Sequence, residues 1–354
     1  FTSISGLGFG LASWLAMGFV NLAEPQHLLL VGLGTMALIA AGLLSSTLHL
    51  GHPERAWRAL TQWRSSWLSR EGVLAVLALV ALTLWGLYYA RHGMPPLWAN
   101  ALLVGLMLLT VYATSMIYAS LRTVARWHHP LTPVCYLMFA ASSGLLAILW
   151  VLALLGQPVT ASLSLAAMLA VAAAWGVKII WWQLAGASGS GSSLATATGL
   201  GGLGEVRSIM PPHTSENYLQ HEMGFVVARK HAAQLRVLAL LAGGLLPISL
   251  LFLLAPTAVV LAAVVLLHMA GVFVERGLLF GEAEHSVTLC YGDMHEVIAA
   301  WGQQQRASVE MHGLGWLFRL KNKTGFTAGF ICALSCHVKA ARRHQATVTA
   351  TVSI

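Results

Sequence analysis

Eight runs of roughly twenty apolar residues, each long enough to cross a bilayer, constrain this chain more than any motif in it. They cover Ile4–Val20, His27–Leu48, Gly72–Ala90, Leu97–Ala119, Leu131–Leu154, Ala161–Trp182, Leu235–Leu254 and Thr257–Phe280. In hydrocarbon such a run satisfies its backbone N–H and C=O groups internally only as a helix. Only 9% of the 354 residues are charged and 57% are hydrophobic, against about 25% charged in an ordinary soluble domain. Too few polar side chains remain to cover a water-facing surface. The expected fold is all-α, a polytopic eight-transmembrane-helix bundle. The first run lacks the basic flank and cleavage site of a signal peptide and is expected to stay as a span.

Eight spans alternate the connections between two sides. His49–Glu71, Ser120–Pro130 and Ala185–Ala233 fall on one side and carry Arg55, Arg58, Arg64, Arg70, Arg122, Arg126, Arg207, Arg229 and Lys230; the other side carries Arg91 alone. By the positive-inside rule the loaded side is cytoplasmic, which puts both termini there as well. The formal charge of +8 is explained by this retention, and no nucleic-acid partner is expected. The tryptophans Trp57, Trp63, Trp67, Trp127, Trp181 and Trp182 gather near the same side, where amphipathic rings favour the headgroup layer. Lys178, in the last turns of the sixth run, is expected to snorkel to the headgroups.

The Gly/Ser-rich stretch Gly186–Gly204 reads as a flexible loop that holds no helix. After Pro211-Pro212, "SENYLQHEMGFVVARKHAAQLR" reads as an interfacial helix leading into the seventh run. The chain therefore divides into a membrane domain, 1–292, and a C-terminal cytoplasmic tail of unknown fold, 293–354. The four cysteines form no C-x-x-C pair, so the chain signals neither an iron–sulfur cluster nor a zinc site of its own.

Chemistry concentrates between the second and third runs, in "STLHLGHPERAWRALTQWRSSWLSREG". His49 ends the second run, Gly51 and Pro53 break the helix, Arg55, Trp57 and Arg58 follow, and Glu71 opens the third run. One interfacial pocket with an imidazole, two guanidinium groups and a carboxylate suits a hydrophobic redox carrier. Such a carrier stays in the bilayer yet must exchange protons with water when it exchanges electrons. Histidine, with an ordinary pKa near 6.5, suits that exchange, arginine stabilises developing negative charge, and Glu71 completes a proton path. The plain alternative is that His49 and His52 only end a helix and the arginines only mark the cytoplasmic side.

"LHLGHPERAWRAL" followed by "SWLSREG" resembles the membrane-anchor subunits of the dimethyl sulfoxide reductase family, whose pattern is H-L-G-x-P-x-R-A and then L-S-x-E. "YASLRTVARWHHPLTPVCYLMFA" is similar to that family's connection between the fourth and fifth spans, and "ERGLLFGEA" to the end of its eighth. The resemblance covers roughly residues 1 to 292 and implies eight spans, in keeping with the length each requires. It implies a quinone, ubiquinone or menaquinone, held without a covalent bond at His49, Arg55 and Glu71, with Arg58 and Trp57 beside it. It also implies partner subunits on the loops: an iron–sulfur subunit and a molybdopterin catalytic subunit, which keep the clusters and the molybdenum. Dimethyl sulfoxide reductases proper present those subunits to the periplasm, whereas the charge count here points to the cytoplasm. The cytoplasmic branch resembles the sulfite-oxidising quinone reductases, so the expected function is to pass electrons from sulfite oxidation to the quinone pool of a bacterial inner membrane. A sulfoxide, polysulfide or tetrathionate reductase running in the opposite direction is the alternative. Two further readings stay open: a haem b anchor using His268 in the middle of the eighth run, and a membrane transporter, for which no half-to-half repeat is visible.

Overall fold

The computed structural model describes residues 1–47, 52–187, 193–206, 226–283 and 285. Within them the chain is helical: α1 Thr2–Ala16, α2 Pro25–Thr47, α3 Trp67–His92, α4 Leu97–Ala119, α5 Leu131–Leu154, α6 Ala161–Ala187, α7 Ala232–Leu253 and α8 Ala258–Gly281. A 3-10 segment, Pro53–Gln62, joins α2 to α3. Seven of these helices, α2 to α8, are long and apolar enough to cross a membrane.

The first expected span is the exception. Gly18 adopts a left-handed backbone (φ +82°), which ends α1 at Ala16 and leaves the apolar residues Phe19 and Val20 outside the helix. The 15 residues of α1 rise only about 22 Å, less than the roughly 30 Å of hydrocarbon. One other expectation is corrected. Residues Leu194–Thr198 of the Gly/Ser-rich stretch form a helical turn, because Ser193 Oγ accepts from the Thr196 N–H (3.2 Å) while the Ser193 N–H donates to Thr196 Oγ1 (2.7 Å). Of the expected interfacial helix only its end is described, as a turn Val226–Lys230 that runs towards α7. The rest of that stretch, the domain boundary at 292 and the tail lie outside the described residues.

α1 and α5 form the centre, with α2 and α4 packed on α1, and α6 and α8 on α5; α3 packs on α4 and α7 on α8. Lipid tails are as apolar as leucine, so close backbone approach and interhelical hydrogen bonds, not hydrophobic exclusion, hold such helices together. Gly10 of α1 lies directly on Ala140 and Gly144 of α5, and a methyl group on Gly144 would overlap Gly10 and reach within 2.6 Å of the Leu11 amide nitrogen. Gly42 of α2 meets Ser5 of α1 in the same way. Gly144→Leu is expected to pry α1 from α5 at a cost of about 3 kcal/mol, the upper end of overpacking. The check is the thermal midpoint of the chain in mild detergent, which should fall clearly below that of Gly144→Ala.

Polar ties fix the two ends of the bundle. At one end Tyr89 Oη accepts from the Leu22 N–H (3.1 Å), and the Gln157 amide brackets the Asn21 backbone at 2.9 and 2.7 Å. At the other, arginine-rich end, Trp127 Nε1 donates to Leu279 O (2.7 Å), and Glu282 is gripped by Arg126 (2.7 Å) and Arg236 (2.5 Å). Arg229 donates to Gly281 O and Ala283 O. The α4–α5 loop, the start of α7 and the end of α8 are thereby clamped into one surface.

Candidate functional site

The 3-10 segment begins at Pro53, whose ring cannot continue the preceding ladder. It carries Arg55, Trp57 and Arg58 in solvent-facing positions. Glu54 sits between His52 Nδ1 (3.0 Å) and Arg55 Nε (3.8 Å), and the Arg58 guanidinium lies 5.7 Å from the Trp57 ring centre. Arg64 over Trp63 and Arg70 over Trp67 repeat this pairing, and Arg70 also donates to Trp63 O and Arg64 O, which curls the segment back onto the start of α3. His49 lies outside the described residues.

Glu71 sits elsewhere. It lies in the second turn of α3 and is only 3% exposed, turned into the bundle rather than towards Arg55 and Arg58. Its partner is Thr114 of α4, whose hydroxyl donates to Glu71 Oε1 at 2.6 Å. The same hydroxyl lies 3.0 Å from Thr110 O, one turn back on its own helix. A hydroxyl has one proton, so Thr114 serves the carboxylate or the carbonyl at any instant. The contact to Thr110 O is the ordinary back-bond of a helical threonine, and the contact to Glu71 joins α3 to α4.

Beyond Thr114 the interior stays polar. Lys178 of α6 does not snorkel; it is 1% exposed and pairs with Glu275 of α8 at 2.5 Å, with its ammonium 3.5 Å from the Trp181 ring centre. Arg276 lies 3.4 Å from the other Glu275 oxygen and stacks its guanidinium 3.6 Å from the Tyr136 ring centre. Two cations therefore share one carboxylate inside the bundle. Tyr118 and Tyr136 stand between this triad and Glu71, ring centres 5.9 Å apart, within electrostatic reach of both. Glu275 and Lys178 thereby tie α8 to α6, a pairing that comes together only in three dimensions.

His268 is fully buried. Its Nδ1 donates to Gly243 O at 2.6 Å, which leaves Nε2 to accept from Ser142 Oγ at 3.3 Å. Gly243 belongs to a π-helical turn, Leu241–Leu245, where the regular ladder is broken and a carbonyl is freed for a side chain. In this position His268 ties α8 to α5 and α7. Among the described residues no group of three His, Cys, Asp or Glu side chains is placed to hold a metal ion.

Residues 7–282 match the family described as DMSO reductase anchor subunit (DmsC). A sulfite dehydrogenase component from Allochromatium vinosum is 33% identical over 177 residues, which covers 44% of this chain and 54% of that protein. The chain thus matches about half the length of this curated relative. No solved structure matches.

Proposed function

The chain belongs to the family of DMSO reductase anchor subunits, a multi-pass protein of the cytoplasmic membrane and one subunit of a multi-subunit oxidoreductase, and on that premise we propose that it is the quinone-reactive subunit of a sulfite-oxidising complex. The observation that carries the proposal is Glu71, a carboxylate buried in a membrane span that follows an exposed arginine and tryptophan segment in the chain. An ionisable residue inside a span is costly and is retained where it does work. Trp57 offers an apolar plate flanked by the cationic donors Arg55 and Arg58, a set that fits a planar ring with oxygen acceptors at the membrane surface. The similarity to a protein named as part of a sulfite dehydrogenase supports sulfite as the electron source.

A bound quinone, ubiquinone or menaquinone, supplies the redox chemistry by accepting two electrons and two protons. The protein's share is binding, charge and protons. The loops of the arginine-rich end seat an iron–sulfur subunit, which in turn carries a molybdopterin subunit, on the cytoplasmic side where nine of the ten loop Lys and Arg residues lie. With a quinone bound, His49 would hold a ring oxygen, Arg55 and Arg58 would stabilise negative charge there, and His49 and Glu71 would supply the protons. Sulfite oxidation with water releases two protons and quinone reduction consumes two. With both on the cytoplasmic side the turnover is electroneutral, so proteoliposomes turning over sulfite and quinone should develop no membrane potential.

The test is a His49→Ala variant in the assembled complex. Quinone reduction should fall at least ~100-fold, the lower range for loss of an acid–base group, while sulfite oxidation by a water-soluble artificial acceptor continues. Unchanged quinone reduction would remove His49 from the site. Quinol-driven reduction of a sulfoxide, with no sulfite oxidation, would assign the complex to the reverse direction.

A further inference from the structure

A small cavity lies between α1, α4, α5 and α8, and Thr114, the hydrogen-bond partner of Glu71, forms part of its wall. Its wall includes Ser3 and Ser5 of α1, Thr114 of α4, Tyr136 and Ser143 of α5, and Arg276 of α8. Its volume is about 10 Å³, close to the minimum for one water molecule and far below what a quinone ring occupies. Tyr136 is 3% exposed and Arg276 6%. Yet Tyr136 Oη and Arg276 Nε find no hydrogen-bond partner among the described residues, while Arg276 Nη1 is taken by Glu275. Buried polar atoms without a protein partner, lining a space of one water's size, are the ordinary setting of a structural water.

We infer that this cavity holds ordered water that passes protons to Glu71 through the Thr114 hydroxyl, with Tyr136 and Arg276 as the positioning residues that hold the water. The inference rests on Glu71 being a proton donor to the quinone. Each transfer is balanced. The water's O–H bond breaks as its proton forms a new O–H bond on Thr114, and Thr114 releases its original proton to Glu71 Oε1, 2.6 Å away. Thr114 ends unchanged, Glu71 ends neutral, and the hydroxide left behind is reprotonated from the cytoplasm. The competing acceptor, Thr110 O at 3.0 Å, holds the Thr114 proton once Glu71 is neutral, which resets the hydroxyl.

The experiment follows Glu71 itself, in the intact complex in native membranes, by infrared spectroscopy after a rapid drop in pH. The carboxylic carbonyl band that Glu71→Gln removes reports its protonation. Thr114→Val should slow the rise of this band ~10-fold, Thr114→Ser should keep the wild-type rate, and Tyr136→Phe, which keeps the ring under Arg276, should slow it several-fold. In quinone reduction Thr114→Val and Tyr136→Phe should lower kcat with KM unchanged and raise the solvent deuterium isotope effect, while Thr114→Ser should behave as wild type. Wild-type protonation rates in both Thr114→Val and Tyr136→Phe would overturn the relay, as would the absence of any such band across the accessible pH range. The underlying functional reading fails separately, by unimpaired quinone reduction in Glu71→Gln.

Discussion

Glu275→Gln is expected to destabilise the chain more than any other single substitution in the bundle. The change keeps side-chain volume but removes the one carboxylate shared by Lys178 (2.5 Å) and Arg276 (3.4 Å), leaving two like charges in a setting 0 to 7% exposed. Removing one partner of a buried ion pair costs about 3–5 kcal/mol, because the remaining charge stays desolvated without compensation. Here two charges are stranded, so the upper end of that range is expected, seen as a large drop in thermal midpoint in mild detergent and little assembled complex in membranes. Lys178→Met in the Glu275→Gln background should recover a substantial part of the loss. It removes one of the stranded cations and leaves Arg276 stacked on Tyr136. A Glu275→Gln protein with an unchanged midpoint would show that the triad contributes no net pairing energy.

Glu71→Gln is expected to have the second largest effect, on rate rather than folding. Gln fills the same space and can still hydrogen-bond to Thr114, so the contact between α3 and α4 survives. What is lost is the ability to bind and release a proton. General acid–base groups contribute typically 10²–10⁴-fold, and quinone reduction should fall by about that factor. Sulfite oxidation with an artificial acceptor that takes electrons from the soluble subunits should continue at the wild-type rate. That contrast separates a proton defect in the membrane from a failure of assembly, in which both rates would fall together. Glu71→Asp, one methylene shorter, should retain the chemistry but lengthen the path to Thr114 and give an intermediate rate.

Hydropathy made most of the architecture readable, and charge marked where it failed. The runs at Leu97–Ala119 and Leu131–Leu154 coincide with α4 and α5 because Pro96 and Pro130 stand directly before them. The third run was expected to begin at Gly72, but α3 begins at Trp67, since Arg70 and Glu71 interrupt the hydropathy and not the helix. That difference places Glu71 inside the helix with its side chain buried, where a carboxylate in one interfacial pocket with Arg55 and Arg58 was expected. The end of α1 at Ala16 was hidden for a related reason: Gly18 is apolar enough to extend a hydropathy window, while its left-handed backbone stops the helix.

The candidate site was legible only in part. Sequence proximity gathered His49, Arg55, Trp57, Arg58 and Glu71 into one pocket, but a stretch of chain does not say which way each side chain turns. The described residues keep Arg55, Trp57 and Arg58 in solvent and turn Glu71 towards Thr114. Thr114, Tyr136 and Arg276 carry no signal as separate letters, because their meaning comes from meeting at one cavity from three helices. Lys178 did carry one. A lysine in one span and an adjacent Glu-Arg pair in another are opposite charges inside the membrane, and their expense in hydrocarbon argues for pairing across helices over snorkelling.

The most direct test of the account is to extract this chain from its native membrane in mild detergent and identify what comes with it, by mass spectrometry and metal analysis. The account predicts a molybdopterin subunit and a multi-cluster iron–sulfur subunit in fixed ratio to the chain, with molybdenum, iron and extractable quinone in the same fraction. A chain that emerges alone and metal-free from intact membranes would contradict it, and the buried charges of α3, α6 and α8 would then have to be read as parts of a transport path.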